Sequence, residues 1–284
     1  MVRTKWNPAI LMMVILFLLS GCSPKQPKAN GKLFIIGGGN KSLAMMRELV
    51  DLSGIKNSGY MFILPMASAE PDSSIIWTRH DFDSTGVTVM PAFNFKKGEV
   101  PPADKLDSLR KARLIFIGGG DQERFMDIVR NTPVMDAIME AWHNGAVISG
   151  TSAGAAVMSR KMITGNQMKH PGLESRYPTI EESNMQITGG MGFLQNAIVD
   201  QHFIKRQRLN RLISVSIENP EEVCIGIDES TAIITDGKEA EVTGNNQVIV
   251  IRNPLKEKKV NNGLIGTEGL QLSVYLPGQK FSLE

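Results

Sequence analysis

The chain is predicted to be an α/β protein: a mostly parallel sheet with helices on both faces, then a β-rich C-terminal part. Three observations predict this. Short apolar runs, at Lys32–Gly37, Tyr60–Leu64, Arg113–Ile117 and Ala146–Ser149, alternate with stretches of helical spacing. Those runs are almost wholly apolar, as strands buried on both faces are. Three runs lead into glycine-rich turns, at 37–39, 118–120 and 150–154, and in parallel sheets sites gather beyond the carboxyl ends of the strands.

The elements follow in order. After the first run, Ser42 to Leu52 reads as a helix, with Leu43, Met46, Leu49 and Val50 on one face. Tyr60–Leu64 is a buried strand stopped by Pro65. Asp72–Asp83 reads as helical, Val87–Met90 as a short strand, and Asp104–Arg110 as a polar turn or helix. Arg113–Ile117 repeats the opening pattern. Gln122–Val129 and Pro133–Asn144 are two helices; Pro133 suits a first turn and Gly145 ends the second. Lys161 to Gln186 is polar and poorly periodic, the pattern of a long loop. Ala197–Val199 is a strand running into Asp200-Gln201-His202-Phe203, and Lys205–Ile217 a basic helix. From Val223 the chain is strand-rich, with turns at Asp236-Gly237 and Gly244–Asn246. No repeat or second domain is evident. Residues 32–284 are expected to form one domain of roughly 250 residues, enough for one substantial core.

The first residues read as a leader rather than as fold. Arg3 and Lys5 precede an unbroken apolar run from Ile10 to Leu19. The run is short of the roughly 20 apolar residues that span a bilayer, and fits a secretory signal. Leu19-Ser20-Gly21-Cys22 resembles a bacterial lipobox, which implies cleavage after residue 21, lipid on Cys22 and membrane anchoring of an exported protein. Residues 22–31, polar with two prolines, are expected to be a flexible tether. Net charge is +2, which gives no case for nucleic acid. The only cysteines are Cys22 and Cys224. With Cys22 lipidated there is no disulfide, and Cys224 in its apolar run is expected to be buried and inert.

Gly150-Thr151-Ser152-Ala153-Gly154 joins an apolar strand to a small-residue helix. Glycines on either side of a serine at such a turn allow a strained bend that exposes the hydroxyl. The Ala153 amide would then face a developing oxyanion at the positive end of the next helix. A serine nucleophile needs a base, itself oriented by a third group. Of the four histidines, His80 and His143 read as surface residues and His170 falls in the unpatterned stretch. His202 follows a core strand on the edge that carries Ser152. No histidine follows it, so the acid is expected after the base, and Asp228 or Glu229 at the end of the Val223–Ile227 run is the candidate. Reading Gly37–Ser42 as a phosphate loop fails, because Asn40 stands where a glycine must precede Lys-Ser.

Gly118-Gly119-Gly120-Asp121-Gln122, Gly150–Gly154, Asp200-Gln201-His202-Phe203 and Asp228-Glu229-Ser230-Thr231 occur in this order. On these motifs the chain resembles the cyanophycinase family, serine peptidases related to dipeptidase E, from about Lys32 to past Arg252. The resemblance implies a class I glutamine amidotransferase-like, flavodoxin-like fold and a homodimer. It implies Ser152 as nucleophile, His202 as base and Glu229 as acid, with an oxyanion hole from Ala153 and the turn that holds Gly119 and Gly120. It further implies that Gln122, Asp200 and Gln201 hold a substrate aspartyl residue, and that Arg206, Arg208 and Arg211 take substrate carboxylates. Arginines at these spacings partly share a helix face, and guanidinium suits carboxylate. The substrate expected is cyanophycin, a poly-aspartate bearing arginine on its side chains, or another aspartate-containing peptide. No metal or organic cofactor is required by this chemistry. The competing reading is an exported relative without catalysis that binds acidic peptides. Substrate preference is expected to diverge in 161–186 and 253–269.

Overall fold

Alternation along the first strand sets the layers. In β1 (Leu33–Ile36), Leu33 and Ile35 face one core cluster and Phe34 and Ile36 face the other, as the period of two requires. The computed structural model describes residues 31–173 and 177–284; the expected leader (1–21), Cys22 and the tether up to residue 30 lie outside them. Gly31, expected to end the tether, is instead buried and donates to the Trp142 carbonyl at 2.7 Å. A side chain there would run into the Ala146 carbonyl, so Gly31 is part of the docked fold.

The first half alternates as predicted: α1 (Leu43–Ser53), β2 (Met61–Leu64), α2 (Pro71–Phe82), α3 (Ala103–Lys111), β3 (Leu114–Ile117), α4 (Gln122–Val129), α5 (Pro133–His143), β4 (Val147–Thr151) and a single turn, α6 (Ala153–Ala156). Local chemistry fixes the ends. Ser42 caps α1 by accepting from the Met45 amide, Asp121 caps α4 by accepting from Glu123 and Arg124, and Pro133 opens α5. Val87–Met90 departs from expectation. It is not a strand, but an extended segment beside β2 that accepts one bond, from Met61 to Val89. Pro91 follows at once and offers no N–H to continue a ladder.

Residues 161–186 also depart from the expected loop. They contain β5 (Lys161–Gln167), which pairs antiparallel with β6 (Met185–Gly189). The register shifts between Ile163 and Gln167, and Gly165 takes φ 99°. That bulge breaks the alternation by which a strand is recognised. After β7 (Ala197–Gln201) the expected helix starts late, as α7 (Leu209–Glu218). Asp228 accepts the Ile204 and Lys205 amides, and Gln207 takes φ 52°. Residues 203–207 are therefore a separate turn that no α-helix can continue through. The rest is β8 (Val223–Ile227), β9 (Thr231–Thr235), β10 (Glu239–Gly244), β11 (Val248–Arg252), β12 (Lys259–Asn261), β13 (Leu264–Gly266), β14 (Gln271–Tyr275) and β15 (Lys280–Ser282).

These strands build two main sheets, not one. The larger runs β15-β10-β9-β1-β4-β3-β2, parallel from β1 to β2 and antiparallel from β9 outward. The smaller runs β14-β11-β8-β7, with only β7 and β8 parallel. Asp236-Gly237 is a hairpin turn as expected, whereas Gly244–Asn246 carries the chain from one sheet to the other. One core cluster spans both sheets, joining Leu33, Ile115 and Ile148 to Val199, Ile225 and Val250. Cys224 faces the opposite layer with Leu212 and Val215 of α7, and burial pushes its thiol pKa up. The smaller layers meet as well: the β12–β13 hairpin bonds back to residues 180–182 through Ile265 and Gly263.

Phe116 is fully buried and stands edge-to-face against Phe82 at 5.6 Å, tying α2 to the sheet. Phe116→Ala is expected to lower unfolding stability by about 3–5 kcal/mol, read from the shift in urea midpoint.

Candidate active site

The turn after β4 is strained, and its neighbours hold it so. Ser152 has φ 55° and ψ −111°, a conformation rare for any residue with a side chain. Its amide donates to the Ile36 carbonyl at 3.1 Å, and its carbonyl accepts from Ala155 and Ala156. Gly150 and Gly154 pack on each other so closely that a methyl at Gly150 would lie 2.2 Å from the Gly154 carbonyl oxygen. A Cβ on Gly154 would lie 2.3 Å from the Ile117 carbonyl oxygen, so both glycines of the motif are steric requirements.

His202 follows β7 of the smaller sheet, and Glu229 lies where the chain passes from β8 to β9, between the sheets. The single-sheet rim expected from the sequence is replaced by a seam between two sheets. Across that seam Ser152 Oγ lies 2.8 Å from His202 Nε2, and His202 Nδ1 lies 2.7 Å from Glu229 Oε1. An ionised carboxylate can only accept, so Nδ1 carries the proton and Nε2 is left to accept from the serine hydroxyl. Asp228, the other candidate acid, holds the 204–205 amides instead.

The turn at 37–39 makes the seam close. His202, at φ 48°, donates its amide to the Gly37 carbonyl at 2.8 Å, and Ser230, at φ 56°, donates to Gly38. A Cβ on Gly38 would lie 2.3 Å from His202 Cε1; one on Gly39 would lie 2.7 Å from Glu229 Cβ. These glycines were missed as site residues. Their signal in the sequence was the repeated strand–glycine pattern, which 118–120 shares.

The 118–120 turn lies on the other side of the serine. A Cβ at Gly119 would stand 3.4 Å from Ser152 Cβ. Among the described residues, no acceptor takes the amides of Gly119, Gly120 or Ala153. Free amides beside a nucleophile can receive an oxyanion. The helix that follows is a single turn, so the local amides matter more than any dipole of α6.

The expected substrate-binding residues divide. Asp200, 1% exposed, pairs with Arg211 through both carboxylate oxygens and with Arg208 at 3.3 Å. Arg208 also donates to the carbonyl and side-chain oxygens of Gln201, and Arg211 to the Tyr177 hydroxyl at 2.5 Å. Arg208 and Arg211 are thus buried and held by the protein, whereas Arg206 is exposed, with no ion pair among the described residues. The three do not share a helix face, since Arg206 and Arg208 both precede α7 and only Arg211 lies in it. Burial and Arg211 bring the Arg208 pKa down to about 10. Gln122 donates to the Ile163 and Thr164 carbonyls, fastening β5 to α4. His170 pairs with Glu181 at 3.0 Å and makes no hydrogen bond to Ser152 or Glu229 among the described residues.

Burial also lowers the His202 pKa below its usual 6.5; Glu229 opposes this, and Arg206 and Arg208 add to it. The ring is therefore neutral at pH 7 and able to take a proton. In NMR titration of the ring, the His202 midpoint is expected below 6.5. It should rise in Arg206→Gln, which removes a repelling cation, and fall further in Glu229→Gln.

The model of peptidase family S51 matches residues 33–243. A cyanophycinase of Nostoc sp. is 30% identical over 274 residues, covering 91% of this chain and 88% of the relative. A cyanophycinase of Geminocystis herdmanii is 35% identical over 196 residues, covering 66% of this chain and 68% of the relative. A crystal structure of a peptidase from an acI-B1 actinobacterium aligns with TM-score 0.68 at 23% identity, over 90% of this chain and 98% of its own, which shows a shared fold. With a matching fold, and with cyanophycinases matched over most of both chains, this protein belongs to peptidase family S51 and is a serine peptidase.

Proposed function

We propose that the protein is an exported peptidase of the cyanophycinase type, which hydrolyses aspartyl peptide bonds in cyanophycin or other acidic peptides through an acyl-enzyme. The observation that carries this reading is the hydrogen-bonded line from Ser152 through His202 to Glu229. Ser152 Oγ attacks the carbonyl carbon while its proton passes to His202 Nε2. Glu229 holds the imidazolium that forms. The amides of Ala153 and of the 118–120 turn donate to the tetrahedral oxyanion, each donor contributing roughly 3–4 kcal/mol. His202 then gives its proton to the leaving amine, and water, deprotonated by the same ring, releases the acyl group.

Preference for an acidic group is supported by two features. Arg206 stands exposed beside the histidine with its guanidinium unengaged among the described residues. Nε of Arg208 is buried with no acceptor there, and a buried donor left unmatched costs roughly 1–3 kcal/mol. A bound carboxylate would relieve it. Asp200, Gln201 and Arg211 act in this reading as the frame that aims Arg208. The leader and Leu19–Cys22 support export and a lipid on Cys22 that anchors the enzyme to a membrane. A working homodimer is part of the same proposal.

Ser152→Ala is expected to abolish cleavage of cyanophycin and of aspartyl peptides with the fold retained by circular dichroism; normal turnover would overturn the assignment. Glu229→Gln should lower kcat by about 10^3–10^4. Because His202 must be neutral to act, kcat/KM should fall as pH drops through its depressed pKa, below 6.5. Gly38→Ala should disable turnover without unfolding, since the added methyl displaces the imidazole.

A further inference from the structure

The chain crosses from sheet to sheet on both sides of the β9–β10 hairpin, and the two crossings are bound to each other. Residues 228–230 lead from β8 of the smaller sheet to β9 of the larger, and residues 245–247 lead back from β10 to β11. The acid of the site, Glu229, lies in the first crossing. Asn246, in the second, donates from Nδ2 to the Glu229 carbonyl at 2.8 Å, and its amide donates to Thr231 Oγ1 at 2.9 Å. That hydroxyl passes its own proton on to the same Glu229 carbonyl, at 3.1 Å. The Asn245 amide donates to the Ser230 carbonyl at 2.9 Å, and the Asp228 amide to the Gln247 carbonyl at 3.4 Å. The crossings press together closely: a Cβ on Gly244, which takes φ 102°, would lie 2.4 Å from the Ser230 carbonyl oxygen.

These contacts grip one peptide unit from both ends. The Glu229 carbonyl is taken by Asn246 and Thr231, and the N–H of the same unit, that of Ser230, donates to the Gly38 carbonyl at 2.8 Å. A peptide unit is planar, so fixing its C=O and its N–H fixes its plane. The left-handed backbone of Ser230, at φ 56°, is held by the same bonds. The root of the Glu229 side chain is thereby set, and a long side chain amplifies any tilt of its root. Its carboxylate must meet His202 Nδ1 at 2.7 Å, and groups that act within about 0.5 Å need such support. Asn246 is suited to this and not merely to its own turn, because its side chain reaches a residue seventeen positions back along the chain. Its neighbour Asn245 is exposed and makes no side-chain hydrogen bond among the described residues.

We propose that Asn246 is a positioning residue of the hydrolytic site, and that with Thr231 it aims the Glu229 carboxylate at the His202 ring by gripping the main chain of the acid. The inference rests on the hydrolase reading for the role of Glu229. The turn that the sequence offered as a simple link between strands is then part of the machinery.

The test compares Asn246→Ala with the wild type in the full chain. Its kcat on aspartyl peptides is expected to fall by about 10–100-fold, the cost of misplacing a reacting group by an ångström, with KM changed by less than about twofold. Thr231→Val keeps the shape of a fully buried side chain and removes the second donor. It should act in the same direction, and it carries the test where Asn246→Ala does not fold. In a Glu229→Gln background, Asn246→Ala should cost less than about twofold more, because the carboxylate it aims is gone; losses that multiply would overturn the inference. NMR titration of the ring supplies a readout that needs no substrate. Glu229 raises the His202 pKa, against burial, Arg206 and Arg208, so the midpoint should fall in Asn246→Ala and in Thr231→Val. An unmoved midpoint in a folded variant would overturn the inference whatever kcat does. A wild type that cleaves no aspartyl peptide would overturn the proposed substrate class instead, and the titration would still decide the role of Asn246.

Discussion

The bond from the His202 amide to the Gly37 carbonyl is the contact on which the site depends. It crosses from the smaller sheet to the larger, and it sets the height of the imidazole above the serine turn. The bond can form only because Gly38 and Gly39 carry no Cβ where the His202 ring and the Glu229 side chain must lie. Left-handed backbone at Ser152, His202 and Ser230 marks the same place. Three residues with side chains in a disfavoured region each carry strain of order 1–3 kcal/mol. The two packed sheets beneath hold them there.

The polar machinery shows a division of labour by depth. Asp200, Arg208, Arg211 and Tyr177 form a buried, mutually bonded frame, in which the carboxylate is already occupied by protein. Such a frame fixes geometry more than it adds stability, because desolvation of buried charge offsets much of the attraction. Arg206, whose guanidinium has no partner among the described residues, is exposed and able to meet a ligand. What looked in the sequence like one basic run is therefore divided by depth, with Arg206 at the surface and Arg208 and Arg211 buried.

The legible parts of the chain were those whose signal is local. Continuous apolar runs such as Leu33–Ile36 and Leu114–Ile117 announced the parallel strands, and the Gly150–Gly154 turn announced its own bend. The illegible parts depended on distant partners. Asp228 and Glu229 are adjacent carboxylates, and only the amides of 204 and 205 decide which one is spent on a turn. The glycine triples at 37–39 and 118–120 look alike in sequence, yet one makes room for the histidine and acid while the other presents amides to the serine. β5 escaped notice because a bulge interrupts its period. That the strands would divide into two sheets was hidden too, since β8 and β9 are consecutive apolar runs with no local sign of a change of sheet.

The seam has a mechanical consequence. The hydroxyl and the imidazole belong to separate slabs, pressed together by the shared layer of Leu33, Ile115, Val199 and Ile225. A gap of a few tenths of an ångström between the slabs lengthens the proton path directly, whereas a tremor inside either slab leaves it alone. The protein thus works as a caliper: its chemistry reads the tightness of a joint, and ageing, heat or a loosened interior would silence it well before the polymer came apart.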